Sequence, residues 1–485
     1  MAADAVDEEE LKLELTPDDA DTLEGSGLFG RAPAAIRQES VYFDTPDRAL
    51  FRAGLSLRIR RSGKRRVQTV KAERSAAGML VRAEWEREVS GDHPVIEDAT
   101  PVAALLSGRI GLLSPVFTVE NERRLWKLDG IEIALDRGRI VAGERSTPVC
   151  EVELERKEGD LSALFALARK IDGTVPTRIC VLSKAERGYR LLGPSPSPVK
   201  AAPVELSADM SAAEAFRAIA GACLRHYHSN VATILDHDDA DALHQARVAI
   251  RRLRSALSIY KAMLASDRAA ARINRELRWL AGKLGAAREI DVLIADASDG
   301  ALVERLSLAR AKAYASAGIA LRSKRCRALM IELAEWIATG PWLSHEGEPE
   351  HGDLPVCDFA ASALGHRRRV LKKRGQDLAE LDDEARHEVR KAAKKMRYTA
   401  DFFATLYTRK KARRRRKHFI HALEDLQDHL GDLNDLATAP AVVHRLGLSD
   451  LPQAAAMTDE SGRPRLLKSA AAALDDFAEA GRYWK

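Results

Sequence analysis

The sequence predicts an α+β chain of more than one domain. A strand-rich antiparallel part with flanking helices comes first, and an all-α part built as a duplicated helical bundle follows. Three observations carry this prediction. The 485 residues exceed what one hydrophobic core organises, so two or three domains are expected. Up to about residue 192 apolar and polar residues alternate with period two, and beyond about residue 207 apolar residues recur at helical spacing. A long basic segment of the helical part also occurs twice.

The first element is Glu8-Glu9-Glu10-Leu11-Lys12-Leu13-Glu14-Leu15. In a strand, Glu8, Glu10, Lys12 and Glu14 share one face, and Leu11, Leu13 and Leu15 share the other. The alternation returns at 55–60, 67–71, 81–89, 131–136 and 149–156, with turn signals such as Ser62-Gly63 and Asp129-Gly130 between. Helical patterns interrupt near 100–107 and 160–172. The segment 193–203 is Pro-rich and reads as a semi-rigid linker. The expected division is a strand domain at 1–192, a linker at 193–206 and a helical domain at 207–485. A break at 344–355 splits the last into repeats of about 207–343 and 356–485.

Composition narrows the setting. Charged residues are 31% and hydrophobic residues 46%, which is globular, and the net charge of +5 conceals local segregation. No apolar run reaches the ~18 residues of a membrane span. The acidic N-terminus lacks the apolar stretch of a secretory signal. The five cysteines are scattered without metal-ligand spacing, which fits free thiols in a reducing cytoplasm.

Charges of matching parity recur from strand to strand. Glu8, Glu10 and Lys12 are followed by Arg58 and Arg60, Lys71, then Arg82, Glu84, Glu86 and Glu88. Arg123, Asp136 and the triplet Glu151, Glu153 and Glu155 come later, and Lys184 lies in the last segment. Three carboxylates on one face repel one another, and a nearby cation removes that penalty. Oxygen ligands suit Mg²⁺ or Mn²⁺, while arginine and lysine suit phosphate oxygens. One such face alone is equally the wet side of an antiparallel sheet. Segregation of glutamate triplets from arginine pairs across several strands favours a pocket.

These residues carry a family resemblance. Glu8-x-Glu10-x-Lys12 resembles the ExExK signature of the CYTH domain, the triphosphate tunnel metalloenzymes. Tyr42-Phe43-Asp44-Thr45-Pro46, Leu57-Arg58-Ile59-Arg60, Gln68-Thr69-Val70-Lys71, Glu151-x-Glu153-x-Glu155 and Ser183-Lys184 follow in the family's order, over roughly 6–192. The resemblance implies a closed eight-stranded antiparallel tunnel with the charges inside. Lys12, Arg58, Arg60, Lys71, Arg123 and Lys184 would hold a triphosphate, and Glu8, Glu10, Glu151 and Glu153 one or two divalent metals. Arg82, Glu84, Glu86, Asp136 and Glu155 would complete the tunnel. Arg124 has the opposite parity and is left out. Cations neutralise the terminal phosphoryl group and the leaving pyrophosphate, and a second metal or a carboxylate orients the water. No serine or cysteine nucleophile is required.

In the helical part His244-x-x-Arg247-x-x-x-Arg251-Arg252-x-Arg254 matches His387-x-x-Arg390-x-x-x-Lys394-Lys395-x-Arg397 at a constant offset of 143. Phe216 and Phe359 keep that offset. Leu284-Gly285 and Leu430-Gly431 follow, with acidic residues after each. At about 100° per residue, His244, Arg247, Arg251 and Arg254 fall within an arc of roughly 80°, beside an apolar arc through Leu243, Ala246, Ile250 and Leu253. His387, Arg390, Lys394 and Arg397 repeat this, and Arg252 and Lys395 project elsewhere. Like charges three and four apart destabilise a helix, so the repeated stripe points to a polyanion. A solvated face and hydrogen-bonded structural histidines are the alternatives.

Residues 207–480, including Trp279–Gly285 and Leu426-Gln427-Asp428, resemble the CHAD domain. That resemblance implies two helical bundles with basic surfaces that bind inorganic polyphosphate, through the ten repeat residues just named. Lysine at 394 and 395 lacks the guanidinium fork, so the two copies would differ in affinity. The run Arg409–Lys417, eight cations in nine positions, either extends a polyphosphate path or is a charged surface. Few clustered aromatics and no recognised motif argue against nucleic acid.

Gly25-x-Gly27-x-x-Gly30 matches a dinucleotide fingerprint but opens no βαβ unit, so it reads as a loop. No Walker A sequence occurs. Taken with the resemblances, the expectation is a cytoplasmic, Mg²⁺- or Mn²⁺-dependent inorganic triphosphatase. It would cleave tripolyphosphate to pyrophosphate and phosphate, bind polyphosphate through its helical part, and associate with polyphosphate granules. No membrane and no particular protein partner is indicated. The rivals are a granule-associated binding protein with little turnover, and a CYTH adenylate cyclase or thiamine triphosphatase.

Overall fold

The computed structural model describes residues 6–73, 81–98, 100–193, 198–297, 300–343, 352–451, 454 and 458–484. The chain forms two compact units. The first comprises Met1–Val199 with His228–Asp236 and Leu321–Gly340, and the second comprises Lys200–Tyr227, His237–Ala320 and Pro341–Lys485. Among the described residues, no helix is long and apolar enough to cross a membrane.

In the first unit β1 (Val6–Glu14) leads into α1 (Pro17–Gly25), capped by Thr16, whose Oγ1 accepts from Asp19 N at 3.1 Å. β2 (Ile36–Asp44), α2 (Ala49–Arg52), β3 (Leu55–Ser62), β4 (Arg65–Glu73), β5 (Val81–Glu88) and α3 (Pro101–Leu106) follow. Then come β6 (Ser114–Leu128), β7 (Ile131–Ala142), β8 (Arg145–Arg156), α4 (Leu161–Thr174), β9 (Arg178–Ile179) and α5 (Lys184–Leu191). The strand order is β5-β4-β3-β2-β6-β7-β8-β1-β9, and β1 also pairs with β5. Eight antiparallel strands therefore close into a barrel, with the short β9 added beside β1. Closure removes the sheet edges. The expected eight-stranded antiparallel tunnel is what the chain forms.

Alternation sorts the side chains. Leu11, Leu13, Val152 and Leu154 are buried on the outer face, where α4 packs on β8. Leu55, Leu57, Ile59 and Val70 bury against Leu50, Val102 and Leu106 of α2 and α3. Burial on this scale contributes ~1.5–3 kcal/mol per large side chain. At one end of the barrel Tyr42, Phe117, Val119, Ile140 and Val149 pack on Ala185 and Tyr189 of α5. α5 comes so close that a β-carbon on Gly188 would sit 2.2 Å from the Phe117 ring. The Asp129-Gly130 turn joins β6 to β7 with both residues at positive φ, 48° and 78°, as hairpin geometry demands. Gly25 ends α1, and residues 26–30 after it form turns rather than opening a βαβ unit, as expected.

The remaining helices are α6 (Ala212–His237), α7 (Ala240–Ile259), α8 (Arg268–Asp296), α9 (Gly300–Arg322), α10 (Lys324–Thr339), α11 (Val356–Arg374), α12 (Asp383–Phe402), α13 (Lys410–Arg445) and α14 (Arg463–Glu479). The duplication is visible at single-residue resolution. α7 and α12 have the same length and are offset by 143 residues at both ends. Their caps, Asp239 and Asp382, share that offset and each accept a backbone N–H three residues on at 2.7 Å. α7 packs on α8 and α12 on α13, and α7 meets α12. Tyr260 stacks on Phe359 with centroids 4.3 Å apart, and Phe216 lies 4.9 Å from Tyr260.

Candidate active site

The barrel lumen holds a cavity of about 390 Å³. Glu8, Glu10, Lys12, Arg58, Arg60, Lys71, Glu84, Glu86, Arg123, Glu153, Glu155 and Lys184 all line it. Parity alone brings them together: Lys12 stands opposite Glu153 and Glu10 opposite Glu155, while Lys71 faces Glu84 and Arg123 faces Asp136. Asp136 and Glu151 share that inner face by register and are fully buried against Lys184 and Arg187. The Arg82 backbone pairs with Glu8, but its side chain lies outside the described residues. Glu14 turns away to an ion pair with Arg178 at 2.5 Å. Arg124 pairs outside with Glu24 at 3.2 Å.

One end of the lumen is a dense ion network. Lys184 is the first residue of α5, a helix begun by a capping box. Ser183 Oγ accepts from Glu186 N at 3.1 Å, and Glu186 Oε2 accepts from Ser183 N at 2.8 Å. That start aims Lys184 Nζ at Asp136 Oδ2 (2.7 Å), Glu153 Oε1 (2.8 Å) and Glu151. Arg123 grips Asp136 with both Nε and Nη2, at 2.7 and 2.5 Å, and reaches Glu153 at 2.5 Å. Lys12 donates to Glu153 at 2.8 Å and lies 3.2 Å from Glu10. Arg187 meets Glu151 at 3.3 Å. Burial alone would raise the Asp136 carboxyl, but Lys184 and Arg123 overcome it and hold it at about 2. Against the same burial, Lys12, Lys184 and Arg123 hold Glu153 well below the usual carboxylate range. Lys184 is held charged against burial by Asp136, Glu151 and Glu153.

Elsewhere the lumen is unbalanced. Arg58 and Arg60 form no salt bridge among the described residues, and the buried Nε of each has no hydrogen-bond partner. Burial, Arg58 and Arg123 push the Arg60 guanidinium down to about 10. Buried donors without acceptors are rare because they are costly. An anion with several oxygens is what these two positions lack. On the neighbouring strand Lys71 Nζ pairs with Glu8 at 2.5 Å and Glu84 at 3.4 Å, and Thr69 donates to Glu86 at 2.9 Å. Burial and the neighbouring Glu8 and Glu10 charges raise the Glu155 carboxyl, despite Lys157. Repulsion among Glu8, Glu10 and Glu155 marks a place that a hard cation would relieve. Oxygens of Asp136, Glu151 and Glu153 also lie within 4.8 Å of one another, with Lys184 among their cations.

Several residues of this site lie outside the set expected from the strand charges. Tyr42 lines the cavity and accepts from Arg58 Nη1 at 3.4 Å. The buried Asp44 carboxylate accepts from Thr45, Leu50 and Phe51 N–H groups and from Tyr189 OH at 2.7–3.0 Å, fixing α2 and α5 to β2. The readable signal for α5 was Ser183-x-x-Glu186.

In the helical unit the two stripes come together where α7 meets α12. Arg251 Nε donates to Tyr398 OH at 2.8 Å, across the repeats. Arg247 donates to Ala281 O at 3.3 Å, Arg254 to Asn274 at 3.2 Å, and Arg397 to Gln427 at 3.1 Å. His387 Nδ1 lies 2.7 Å from Asn434 Oδ1. Burial, Arg288, Arg251 and Arg247 push the His244 imidazole down to about 4, so it is neutral. Burial and the charges of Arg251, Arg390 and Arg397 bring the Lys394 ammonium down to about 7, against a weaker pull from Asp435. The electrostatic neighbours of Arg390 include Arg251 and Asp435. Arg252 is buried with its guanidinium 5.2 Å from the Phe402 ring, and Lys395 is half-buried near Arg367 and Arg374. Arg409–Lys417 is mostly exposed at the start of α13 and forms no ion pair among the described residues.

A closed barrel with an ionised lumen, followed by a duplicated helical half with a shared basic face, defines a two-domain tunnel-and-bundle protein. The chain belongs to the CYTH–CHAD arrangement: the CYTH domain family matches residues 7–189 and the CHAD domain family residues 218–444. It is 31% identical over 164 residues to an inorganic triphosphatase of Haemophilus influenzae, covering 31% of this chain and 45% of that protein. It is also 31% identical over 179 residues to an uncharacterized protein of Mycobacterium tuberculosis, 34% of each chain. The chain thus spans less than half the length of these curated relatives. The crystal structure of the CHAD domain from the plant Ricinus communis is similar at 32% identity and a TM-score of 0.49, over 57% of this chain and 96% of that one.

Proposed function

We propose that the barrel is a metal-dependent inorganic triphosphatase that cleaves tripolyphosphate to pyrophosphate and phosphate. One observation carries this reading. A single cavity holds Arg58 and Arg60, which form no salt bridge among the described residues, together with the mutually repelling Glu8, Glu10 and Glu155. Phosphate oxygens fit the first group and a divalent metal the second. Similarity to the Haemophilus influenzae inorganic triphosphatase supports it.

Arg58 and Arg60 bind the phosphate chain, with Lys12, Lys71, Arg123 and Lys184 adding positive charge around it. Glu8, Glu10, Glu153 and Glu155 would hold Mg²⁺ or Mn²⁺. Glu151 and Asp136, held by Lys184, fix the buried end of the same face. The bound metal supplies charge neutralisation and orientation of water. The lumen's fixed cations stabilise charge on the terminal phosphoryl group and the leaving pyrophosphate, which is most of what this chemistry needs.

The helical part, 207–485 beyond the 193–206 linker, binds longer polyphosphate across the joined stripes. His244, Arg247, Arg251, Arg254, His387, Arg390, Lys394 and Arg397 form the face, with Arg252 and Lys395 supporting it. Residence in the cytoplasm, on or near polyphosphate granules, belongs to the same reading.

Phosphate release from tripolyphosphate, ATP and thiamine triphosphate, each with Mg²⁺ and Mn²⁺, tests it on the full chain. Metal-dependent turnover highest on tripolyphosphate, and lost in Glu10→Gln, is expected. Binding without turnover would make the barrel a polyphosphate-binding module. Preference for an organic triphosphate, or cyclisation of ATP, would overturn the substrate.

A further inference from the structure

The Tyr42 hydroxyl has a hydrogen to give and no acceptor for it among the described residues. Tyr42 sits on β2 directly opposite Arg58 on β3, with its side chain on the lumen face and only 3% of the residue exposed. Arg58 Nη1 donates to its oxygen at 3.4 Å. That bond uses a lone pair of the phenol and leaves its O–H unspent. Among the described residues no acceptor is present for that hydrogen.

The ring cannot swing away to find one. It stacks on Phe117 with centroids 4.6 Å apart and planes 21° apart. Phe117 is held edge-on by Tyr189 at 5.2 Å and lies against Gly188, where a β-carbon would clash. A phenylalanine would fill this space equally well, so packing does not account for the hydroxyl. A buried O–H without an acceptor is costly, and Tyr42 lines the cavity.

We propose that Tyr42 contacts the substrate: its O–H donates a hydrogen bond to a non-bridging oxygen of the phosphate chain held by Arg58 and Arg60. The phenol accepts from Arg58 and donates to phosphate, so tyrosine and arginine act as one grip. Arg58, Arg60 and Lys184 also outweigh burial and pull the phenol below its ordinary proton affinity, which strengthens it as a donor. This assignment rests on the triphosphate reading of the cavity.

The test compares the full-length protein with Tyr42→Phe, Arg58→Lys and the double variant. Tripolyphosphate binding is read by calorimetry in chelator-treated protein, and kcat/KM with added Mg²⁺. Tyr42→Phe is expected to weaken binding about ten-fold, to lower kcat/KM at least as much, and to leave the melting temperature unchanged or raised. The double variant is expected to lose less than the product of the single losses, because the two residues share one contact. An active wild type with Tyr42→Phe within two-fold of it, or losses that simply multiply, would overturn the role of Tyr42 alone. A wild type that neither binds nor cleaves tripolyphosphate would overturn the triphosphatase reading and this assignment together.

Discussion

Gly285 on α8 lies against Arg247 on α7: a β-carbon at 285 would come within 2.7 Å of Arg247 Nη1. The contact explains why Leu-Gly follows the His-x-x-Arg stripe. α8 must present no side chain where the guanidinium lies, and Arg247 uses the gap to donate to Ala281 O at 3.3 Å. In the second copy Gly431 keeps the place, but Arg390 Nη2 is 4.0 Å away, an ordinary contact.

The two glycines therefore predict different outcomes. Gly285→Ala displaces only the end of a flexible arginine, so the fold tolerates it and gains up to about 1 kcal/mol of helix propensity. Polyphosphate affinity falls several-fold as Arg247 is pushed aside. Gly431→Ala gives the stability gain with little change in affinity. Melting curves and polyphosphate titration of both variants check this, and unchanged affinity in Gly285→Ala would remove Arg247 from the binding face.

Lys184 is the counter-ion of two fully buried carboxylates, Asp136 and Glu151. Lys184→Met removes the cation they share, leaving Arg123 on Asp136 and Arg187 on Glu151, and is expected to destabilise the barrel by about 3 kcal/mol. The pH dependence follows from Asp136, held at about 2 against an ordinary 3.8. A depressed carboxyl contributes stability that is present above its unfolded value and lost as the pH falls through its folded value. Wild-type protein keeps this contribution down to about pH 4 and loses it towards pH 2. In the variant the carboxyl rises, so acid unfolding begins at higher pH. Denaturant unfolding followed from pH 2 to 7 measures both effects.

Tyr260 is fully buried between aromatic rings, and its hydroxyl has no hydrogen-bond partner among the described residues. At the same place in the second repeat, 143 residues on, the chain has Phe403. Tyr260→Phe keeps the packing and removes an unsatisfied group, so it is expected to stabilise the helical unit by up to about 1–2 kcal/mol. Urea unfolding reads the change, and a loss of stability would contradict it.

Strand parity was enough to place Glu8, Glu10, Arg58, Arg60, Lys71 and Glu153 on one inner face, because a period of two is local and leaves no choice of side. Depth was not legible. Glu151 and Glu153 have the same parity, yet Glu151 is fully buried under Lys184 and Arg187 while Glu153 lines the cavity. Lys184 itself was grouped with the strand charges, whereas a capping box starts a helix there. Closure of β1 on β5 has no local signal, since it joins segments more than seventy residues apart, and it came from the family resemblance. The limits of α7 and α12 were implicit in the 143-residue offset, but their meeting through Arg251 and Tyr398 was not. Position 398 lies outside the repeated basic pattern, and its counterpart 255 is a serine.

Lys394 makes the basic face sensitive to pH in the physiological range. It replaces the arginine of the first repeat at the point where Arg251 from α7 and Arg390 and Arg397 from α12 crowd it, with Asp435 of α13 opposing them. Burial and those cations bring its ammonium down to about 7. Its charge is therefore present below about pH 7 and lost above. Phosphate oxygens bind the charged form, so polyphosphate affinity is expected to fall about five-fold from pH 6 to pH 8. Arginine does not titrate there, so Lys394→Arg should match wild type at pH 6 and keep that affinity at pH 8. Binding should also take up protons above pH 7 in the wild type and not in the variant, because the polyanion favours the ammonium. Calorimetry in two buffers of different ionisation enthalpy, at constant ionic strength, measures that uptake. Equal pH profiles for the two proteins would show that Lys394 does not touch the polyanion.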